Sequence, residues 1–310
     1  METLSSLECF VRSAESGSFA EAARRLGLTP AAVGKNVAKL EASLGVRLFQ
    51  RSTRRLTLTD AGERFLGEVR GGLTSIQSAL ANLASNAGQP AGILKVSMGA
   101  TFGHEYVLPM LAEFLQRYPA ISPDWHFDNR PIDLIGQGFD AAISGAMELS
   151  PGVVARKLAP AHRILVASPA YLAEHPAPTT PAHLAQHAGI LIRSPQTGKV
   201  RPWALHNREH AEAAIELRTR MTMSDPDAAC LVAEMGLGIA LVSLPHSLRY
   251  LKRGSLIRVL PDWYVDAGHV SVYFSGHRLL PTKTRVFIDS LVEHFDRQQL
   301  SERFSALNNP

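Results

Sequence analysis

The stretch Thr29–Leu44, TPAAVGKNVAKLEASL, decides how this 310-residue chain is read. Val33, Val37, Leu40 and Leu44 recur at i, i+4, i+7 and i+11, the apolar stripe of one helix face. Ala31, Lys35, Ala38 and Ala42 fall opposite that stripe, flanked by Gly34 and Lys39, so the outward face is small and basic. Thr29 suits an N-cap and Pro30 the first helical position, while Leu44-Gly45 supplies the stop. Upstream, Ser18-Phe19-Ala20-Glu21 is a capping box opening a helix that turns Ala22, Ala23 and Leu26 inward. Gly27-Leu28 leaves only a tight turn between the two. Helix, short turn and basic second helix form the helix-turn-helix pattern.

The flanks extend that pattern. Val46–Arg51 and Leu56-Thr57-Leu58 are expected to pair as a hairpin around Ser52-Thr53-Arg54-Arg55, a wing with a basic tip. From Arg24 to Arg55 there are eight Lys/Arg and one acid, Glu41, although the whole chain carries only +4. Positive charge is concentrated where a phosphate backbone would lie. A charge run alone is usually a solvated face; capping, turn and wing together make it a DNA-reading surface. The expected contacts are Thr29, Pro30, Ala31, Gly34, Lys35 and Lys39 from the helix, with Arg51 and Arg54 from the wing. Residues 3–15 add a supporting helix through Leu4, Leu7, Phe10, Val11 and Ala14.

Phe10-Val11, Glu15–Phe19, Ala22-Ala23, Leu26, Leu40-Glu41, Leu44-Gly45, Leu48–Arg51 and Leu58–Gly62 together resemble the N-terminal signature of LysR-type transcriptional regulators. The match is dense over about the first 65 residues, and the remaining length and layout agree. One departure stands out: many members have Ser-Arg where this chain has Gly34-Lys35. Lys35 keeps the charge but lacks the planar fork that grips guanine at two points. Gly34 drops a hydroxyl and weakens the helix by about 1 kcal/mol relative to Ala. The resemblance implies a linker-helix dimer, pairing of dimers into a tetramer, and a periplasmic-binding-protein-like effector domain.

The fold class expected is α/β: a winged helix-turn-helix at 1–58, a linker and dimerisation helix at 59–88, and a two-lobed effector domain at 91–300. Lobe I takes 91–160 and 267–300, and lobe II 161–266. The linker helix, from Thr59-Asp60 to about Asn86, carries Phe65, Val69, Leu73, Ile76, Leu80 and Leu83 in a near-heptad seam. That seam reads as a dimer contact, the alternative being packing on its own C-terminal domain. Gly71-Gly72 interrupts it with a kink or a close contact. Two copies so joined would bind double-stranded DNA at a pseudo-palindromic operator, with RNA polymerase a further candidate partner.

Beyond the boundary at Asn86–Pro90 the charge balances at 21 Lys/Arg against 20 Asp/Glu. Strands are expected at Ile93–Met98, Trp125–Phe127, Ala141–Ser144, Arg163–Ala167, Gly189–Arg193, Ile215–Met223, Ile239–Val242 and Val270–Phe274. Helices fall between them: one running through Leu111, Phe114 and Leu115, a short one at Ile132–Ile135, then Pro226–Met235, Ser247–Lys252 and Lys283–Phe295. This alternation predicts a parallel sheet with its ligand outside the carboxyl ends of the strands.

Composition sets the outer limits. Forty-five per cent hydrophobic content allows about two domains, and no run of 18 apolar residues suggests a membrane span. The opening METLSSLECFVRSAESGSF has acids and an Arg where a signal peptide has an apolar core, so a cytoplasmic protein is expected. Cys9 and Cys230 read as separate buried hydrophobes rather than a disulfide or a redox pair.

Catalytic and metal motifs are weak. His206–His210 matches H-x-x-E-H but sits where a hairpin turn is expected, and His183 with His187 lacks a third ligand. Gly236-Leu237-Gly238 follows a helix, which suits a cap rather than a dinucleotide loop. No nucleophile–base pair assembles from local spacing. We therefore expect no metal, no cofactor and no enzyme activity. A small-molecule effector is expected between the lobes, held at two helix starts by Thr101 and Phe102 on one side and Ser224 and Asp225 on the other. Ser144, Asp128, Arg130 and Arg193 complete that set, Arg193 as the neutraliser of an acidic effector. The competing reading is a solute-binding protein or small-molecule enzyme whose N-terminal module serves oligomerisation.

Overall fold

A computed structural model describes residues 4–51, 56–84, 89–130, 132–145, 150–194, 197–276 and 280–308. The chain forms two compact units, one reaching to Gly92 and including Asp133–Asp140, the other built from the remainder.

The first unit opens with α1 (Leu4–Ser16), α2 (Phe19–Leu26) and α3 (Pro30–Leu44), followed by β1 (Phe49–Arg51), β2 (Leu56–Leu58) and α4 (Asp60–Ala84). Its core gathers Phe10 and Val11 from α1, Ala22 and Ala23 from α2, and Val33, Val37 and Leu40 from α3, all at most 2% exposed. β1 and β2 pair antiparallel, Phe49 opposite Leu58, so the expected hairpin is present. Its tip, with Arg54, lies outside the described residues. Thr59 caps α4, its hydroxyl accepting from Gly62 N–H. Gly62 is needed there, because a Cβ would stand 2.1 Å from the Leu48 carbonyl oxygen.

The α4 seam divides. Phe65, Val69 and Leu73 pack into the same core as α1, with Leu73 only 4% exposed, whereas Ile76 is 45% exposed. The first half of the seam therefore closes this unit's own core rather than facing a partner. The side chains of Leu80 and Leu83 lie outside the described residues. Gly71 gives the close contact, since a Cβ there would approach the Ile135 carbonyl oxygen to 2.5 Å. At Gly72 a Cβ would meet nothing.

The second unit begins with β3 (Gly92–Met98) and a helical run in four steps: α5 (Ala100–Phe102), a π turn at Gly103–Val107, a 3-10 turn at Leu108–Met110 and α6 (Leu111–Arg117). Pro109 sits where the winding tightens, and lacks the N–H that an unbroken α-helix would use. β4 (Ile121–Phe127), β5 (Ala141–Ser144) and β6 (Val153–Ala167) follow, then α7 (Pro169–Glu174), β7 (Ala188–Ile192), β8 (Ala204–His206), β9 (Glu212–Ala214), β10 (Arg218–Met223) and α8 (Pro226–Glu234). β11 (Ile239–Ser243), α9 (Leu244–Lys252), β12 (Ile257–Val259), β13 (Val265–Ser275), α10 (Thr282–Arg297) and α11 (Leu300–Arg303) complete it.

The main sheet runs β10-β7-β11-β6-β13-β5-β3-β4, with β12 also on β6. Parallel pairs flank the middle, β10–β7–β11 on one side and β3–β5 on the other. The centre is antiparallel: β6 and β13 pair along most of their length, from Val265–Arg163 to Ser275–Val153. The sheet is thus mixed, where strand–helix alternation alone predicts a parallel one. Three cores lie along it, one around Leu94, Ile143 and Phe287, a second around Ile164, Ile190 and Val242 and a third around Leu165, Leu184 and Leu241; the first gives way to the others between Ala161 and Ile164.

Ile132–Ile135 is not a helix but part of a turn. The Asp133 carboxylate accepts from Gly136 N–H at 2.9 Å, and Phe139 N–H reaches the Leu134 carbonyl at 2.9 Å. An Asp side chain that competes for the backbone in this way favours a turn over a helix.

Candidate functional site

On α3 the sequence pattern becomes a surface. The Thr29 hydroxyl accepts from Ala32 N–H at 3.2 Å, and Gly27 and Gly45, at φ 65° and 68°, close α2 and α3. Ala31, Lys35 and Lys39 are exposed opposite the buried stripe, and a Cβ on Gly34 would meet nothing within 4 Å. Gly34 therefore has no partner inside the unit that requires a glycine. The stripe itself ends on Glu41, not Leu44, which is 40% exposed. The buried Glu41 carboxylate accepts from Leu48 N–H and Phe49 N–H at 2.8 and 3.1 Å, tying α3 to the wing.

These pairings reduce the charge count read from sequence. Arg24 and Arg25 pair with Glu21, and Arg47 with Glu41. Lys35 and Lys39 have no ion pair among the described residues, so the unneutralised charge of α3 sits on its outward face. Arg51 lies in β1, where its backbone pairs with Leu56.

A second site lies in the other unit: a cavity of about 290 Å³ at the carboxyl ends of β3, β5, β7 and β11, where the lobes meet. Of the eight residues expected to hold an effector, Phe102, Asp128, Arg130, Ser144, Arg193 and Ser224 line it. Asp225 instead caps α8, accepting from Asp227 N–H and Ala228 N–H at 2.8 and 3.4 Å, and borders an adjoining shallow recess. Thr101 is not in the wall. The helix start there is set by Gly99, with no side-chain cap, which makes Thr101 its second residue and leaves Gly99 and Phe102 at the cavity.

The charged wall is uneven. Asp128 and Arg130 neutralise each other, with Arg130 Nε and Nη2 at 2.8 and 2.6 Å from Asp128 Oδ2. That guanidinium holds the Asp128 carboxyl below its usual range. Arg193 reaches the Thr222 carbonyl at 3.3 Å. Three further lining residues were not legible in the sequence: Arg163 on β6, and Arg201 and Trp203 from the segment before β8. The Arg163 and Arg201 guanidinium carbons lie 4.6 and 4.3 Å from the Trp203 ring centroid. Burial, with Arg201 adding to it, lowers the Arg163 pKa to about 10. His246, also in the wall, is hydrogen-bonded to the Ser243 hydroxyl at 2.7 Å, and burial lowers its pKa to about 4. These residues come from distant segments and carry no local spacing signal.

The other motifs resolve structurally. His206 ends β8 and His210 sits in the turn before β9 at φ 63°, so the H-x-x-E-H run is a hairpin. His187 Nδ1 meets the Tyr171 hydroxyl at 3.2 Å, and His183 Nδ1 meets Thr179. Gly236, at φ 80°, follows α8 as a cap. Cys9 is buried beside Asn36, and burial pushes the Cys230 thiol up to about 12, away from the reactive thiolate.

Known proteins match both parts of the chain. The model of the bacterial regulatory helix-turn-helix protein, lysR family, matches residues 4–63, and that of the LysR substrate binding domain matches 87–296. The chain belongs to the LysR-type family of transcriptional regulators. It is 31% identical to the HTH-type transcriptional regulator PtxR of Pseudomonas aeruginosa, over 95% of this chain and 94% of that one. The full-length virulence activator AphB of Vibrio cholerae superposes with a TM-score of 0.60 at 29% identity, covering 94% of this chain and 99% of the other. CrgA of Neisseria meningitidis, another LysR-type regulator, gives 0.58 at 28%, covering 94% and 98%. This LysR-type regulator thus joins a DNA-binding helix-turn-helix to an effector-binding domain. No helix among the described residues is long and apolar enough to cross a membrane.

Proposed function

We propose that this regulator reads its operator with the outward face of α3 and answers to a small molecule held in the cavity of its second unit. One observation carries the first half: Lys35 and Lys39 are exposed, with no ion pair among the described residues, on the face opposite the buried Val33, Val37 and Leu40, and the space above Gly34 beside them is open. Ala31 and Gly34 let the backbone approach the groove floor, Lys35 reaches base edges, and Lys39, Arg51 and Arg54 meet phosphates. Thr29 and Pro30 fix the start of the helix.

One helix reads only a few bases, so two copies act together on a pseudo-palindrome. The copies join through the later part of α4, from Ile76 onward, since the earlier part is spent on the unit's own core. Dimers pair again through the effector domains, as the resemblance implies. The activity is regulatory rather than enzymatic, in keeping with relatives that are named as regulators, and it is exercised in the cytoplasm.

Phe102, Ser144, Arg193 and Ser224 hold the effector, which must bind two arrangements of the protein unequally to have any effect. Footprinting the full-length protein on DNA from its own upstream region is expected to show two protected half-sites whole helical turns apart. A single protected patch contradicts the paired reading. Ser224→Ala is expected to blunt the response to an effector while Thr101→Val leaves it intact; equal loss from both returns Thr101 to the site.

A further inference from the structure

The cavity wall holds four arginines and a single carboxylate, Asp128, which is already engaged by Arg130. Arg193 is bonded to a backbone carbonyl. Arg163 and Arg201 have no ion pair among the described residues. Arg163 stands in β6, its backbone paired with Ser243 on one side and Val265 on the other, so it is fixed where the two lobes join. A guanidinium does not shed its proton at neutral pH, and a half-buried cation loses its remaining water when a ligand fills the cavity, which is costly unless that ligand brings an anion. Among the described residues no free carboxylate in the wall supplies one.

The geometry describes what would. With both guanidiniums over Trp203, the ring holds them in the wall as a pair of cations whose N–H groups can meet a planar acid. Pro202 restrains the Arg201 backbone to an extended form, which limits how far that side chain strays from the ring. The rest of the wall is largely apolar, with Met98, Phe102, Ile143, Ile192 and Val270. A bare phosphate or sulfate would leave those groups uncovered. An acid group on a flat hydrocarbon body satisfies both ends in a cavity of about 290 Å³.

We propose that Arg163 and Arg201, stacked on Trp203, are the carboxylate-binding end of this cavity, and that its ligand is a small organic acid with an apolar, preferably aromatic, body. This rests on the cavity being the effector site. Nothing in the comparisons assigns these three residues or that ligand class.

The test uses the full-length protein and thermal unfolding with benzoate, phenylacetate and cinnamate, each beside its primary amide, and with inorganic phosphate. The expected result is an upward shift with at least one acid, none with its amide, and little with phosphate. Arg163→Met and Arg201→Gln are each expected to weaken that acid at least tenfold. Arg163→Met without ligand should melt no lower than the wild type, because it removes a half-buried charge with no ion pair among the described residues; a lower melting point would make Arg163 a packing residue and overturn the clamp. Amides that stabilise as well as acids overturn the clamp and leave the cavity reading standing, provided Ser224→Trp, which blocks the mouth, abolishes their effect. An acid that stabilises the wild type, both arginine variants and Ser224→Trp alike binds elsewhere and overturns both. No shift with any acid overturns the clamp, and phosphate acting as well as the best acid overturns the ligand class.

Discussion

The two units handle positive charge in opposite ways. On α3, Lys35 and Lys39 stand in water, with no ion pair among the described residues, on the outside of a core that reaches no further than the opposite face. In the cavity, Arg163 is half-buried and Arg201 exposed at its rim, both resting against one aromatic ring. Exposed lysines cost little to maintain and interact with a polyanion of any length, weakly and in a salt-dependent way. Arginines held against a ring in a cavity wall lose their water once a ligand enters, and so favour an anion that fits. One arrangement suits a long charged surface and the other a single small molecule.

The largest expected effect tests whether the exposed set depends on the core beneath it. Leu73→Asp places a charge in the core shared by α1 and α4 and should destabilise the first unit by roughly 4 kcal/mol or more. Ile76→Asp, at an exposed position, should change stability by less than about 0.5 kcal/mol yet weaken self-association. Urea unfolding and sedimentation of the two variants measure both; a folded Leu73→Asp protein that has merely become monomeric would return Leu73 to the dimer seam.

The next effect bears on the lysines alone. Lys35→Ala should weaken operator binding by about 1–3 kcal/mol if it meets a base, and lower the salt slope of binding by about one if it meets only a phosphate. Titration against operator and random DNA at several salt concentrations separates the two. A variant that binds as the wild type does removes Lys35 from the surface.

The smallest effect belongs to the enclosed side. Burial holds the His246 pKa at about 4, below its ordinary 6.5. The unfolded chain takes up that proton first, so the associated stability is complete above about pH 6.5 and is lost as pH falls toward about 4. His162, His187 and His294 are shifted the same way by burial and add to the acid loss. The stability of His246→Gln should therefore fall less steeply than that of the wild type across this window. Parallel curves in thermal unfolding from pH 7 to 4 would show that His246 is freely hydrated.

The same contrast explains what the sequence discloses. α3 is local: its caps, its turn and its period of 3.6 lie within the nineteen residues Gly27–Gly45, and the exposed and buried positions follow from spacing. β6 hid in plain view. Pro160 in its middle argues against a strand, and only Arg163–Ala167 looks like one. Yet Pro160 lies opposite His269 at a register shift, where the ladder is irregular and a missing N–H is tolerated. The cavity was half legible, since residues at strand ends and helix starts, such as Ser144 and Ser224, are placed by topology. Arg163 and Trp203 are forty positions apart, and nothing in either neighbourhood announces that the fold brings them together. Thr101 failed for a smaller reason: the cap is Gly99, two residues before the hydroxyl that suggested one.

β6 passes from one lobe into the other without a break, and β13 runs back beside it with shifts at Asp266/His269 and Val270/Ser271. The lobes are thus joined by a twisted two-stranded ribbon rather than by a loop, and they also meet where the Tyr106 hydroxyl donates to the Pro245 carbonyl at 2.8 Å and Glu105 pairs with Arg249. A ribbon resists bending in the plane of its hydrogen bonds and yields most readily to torsion. A ligand bound in the cavity is therefore expected to act on a torsion spring, its message leaving the site as a small change of angle between rigid bodies rather than as a wide swing.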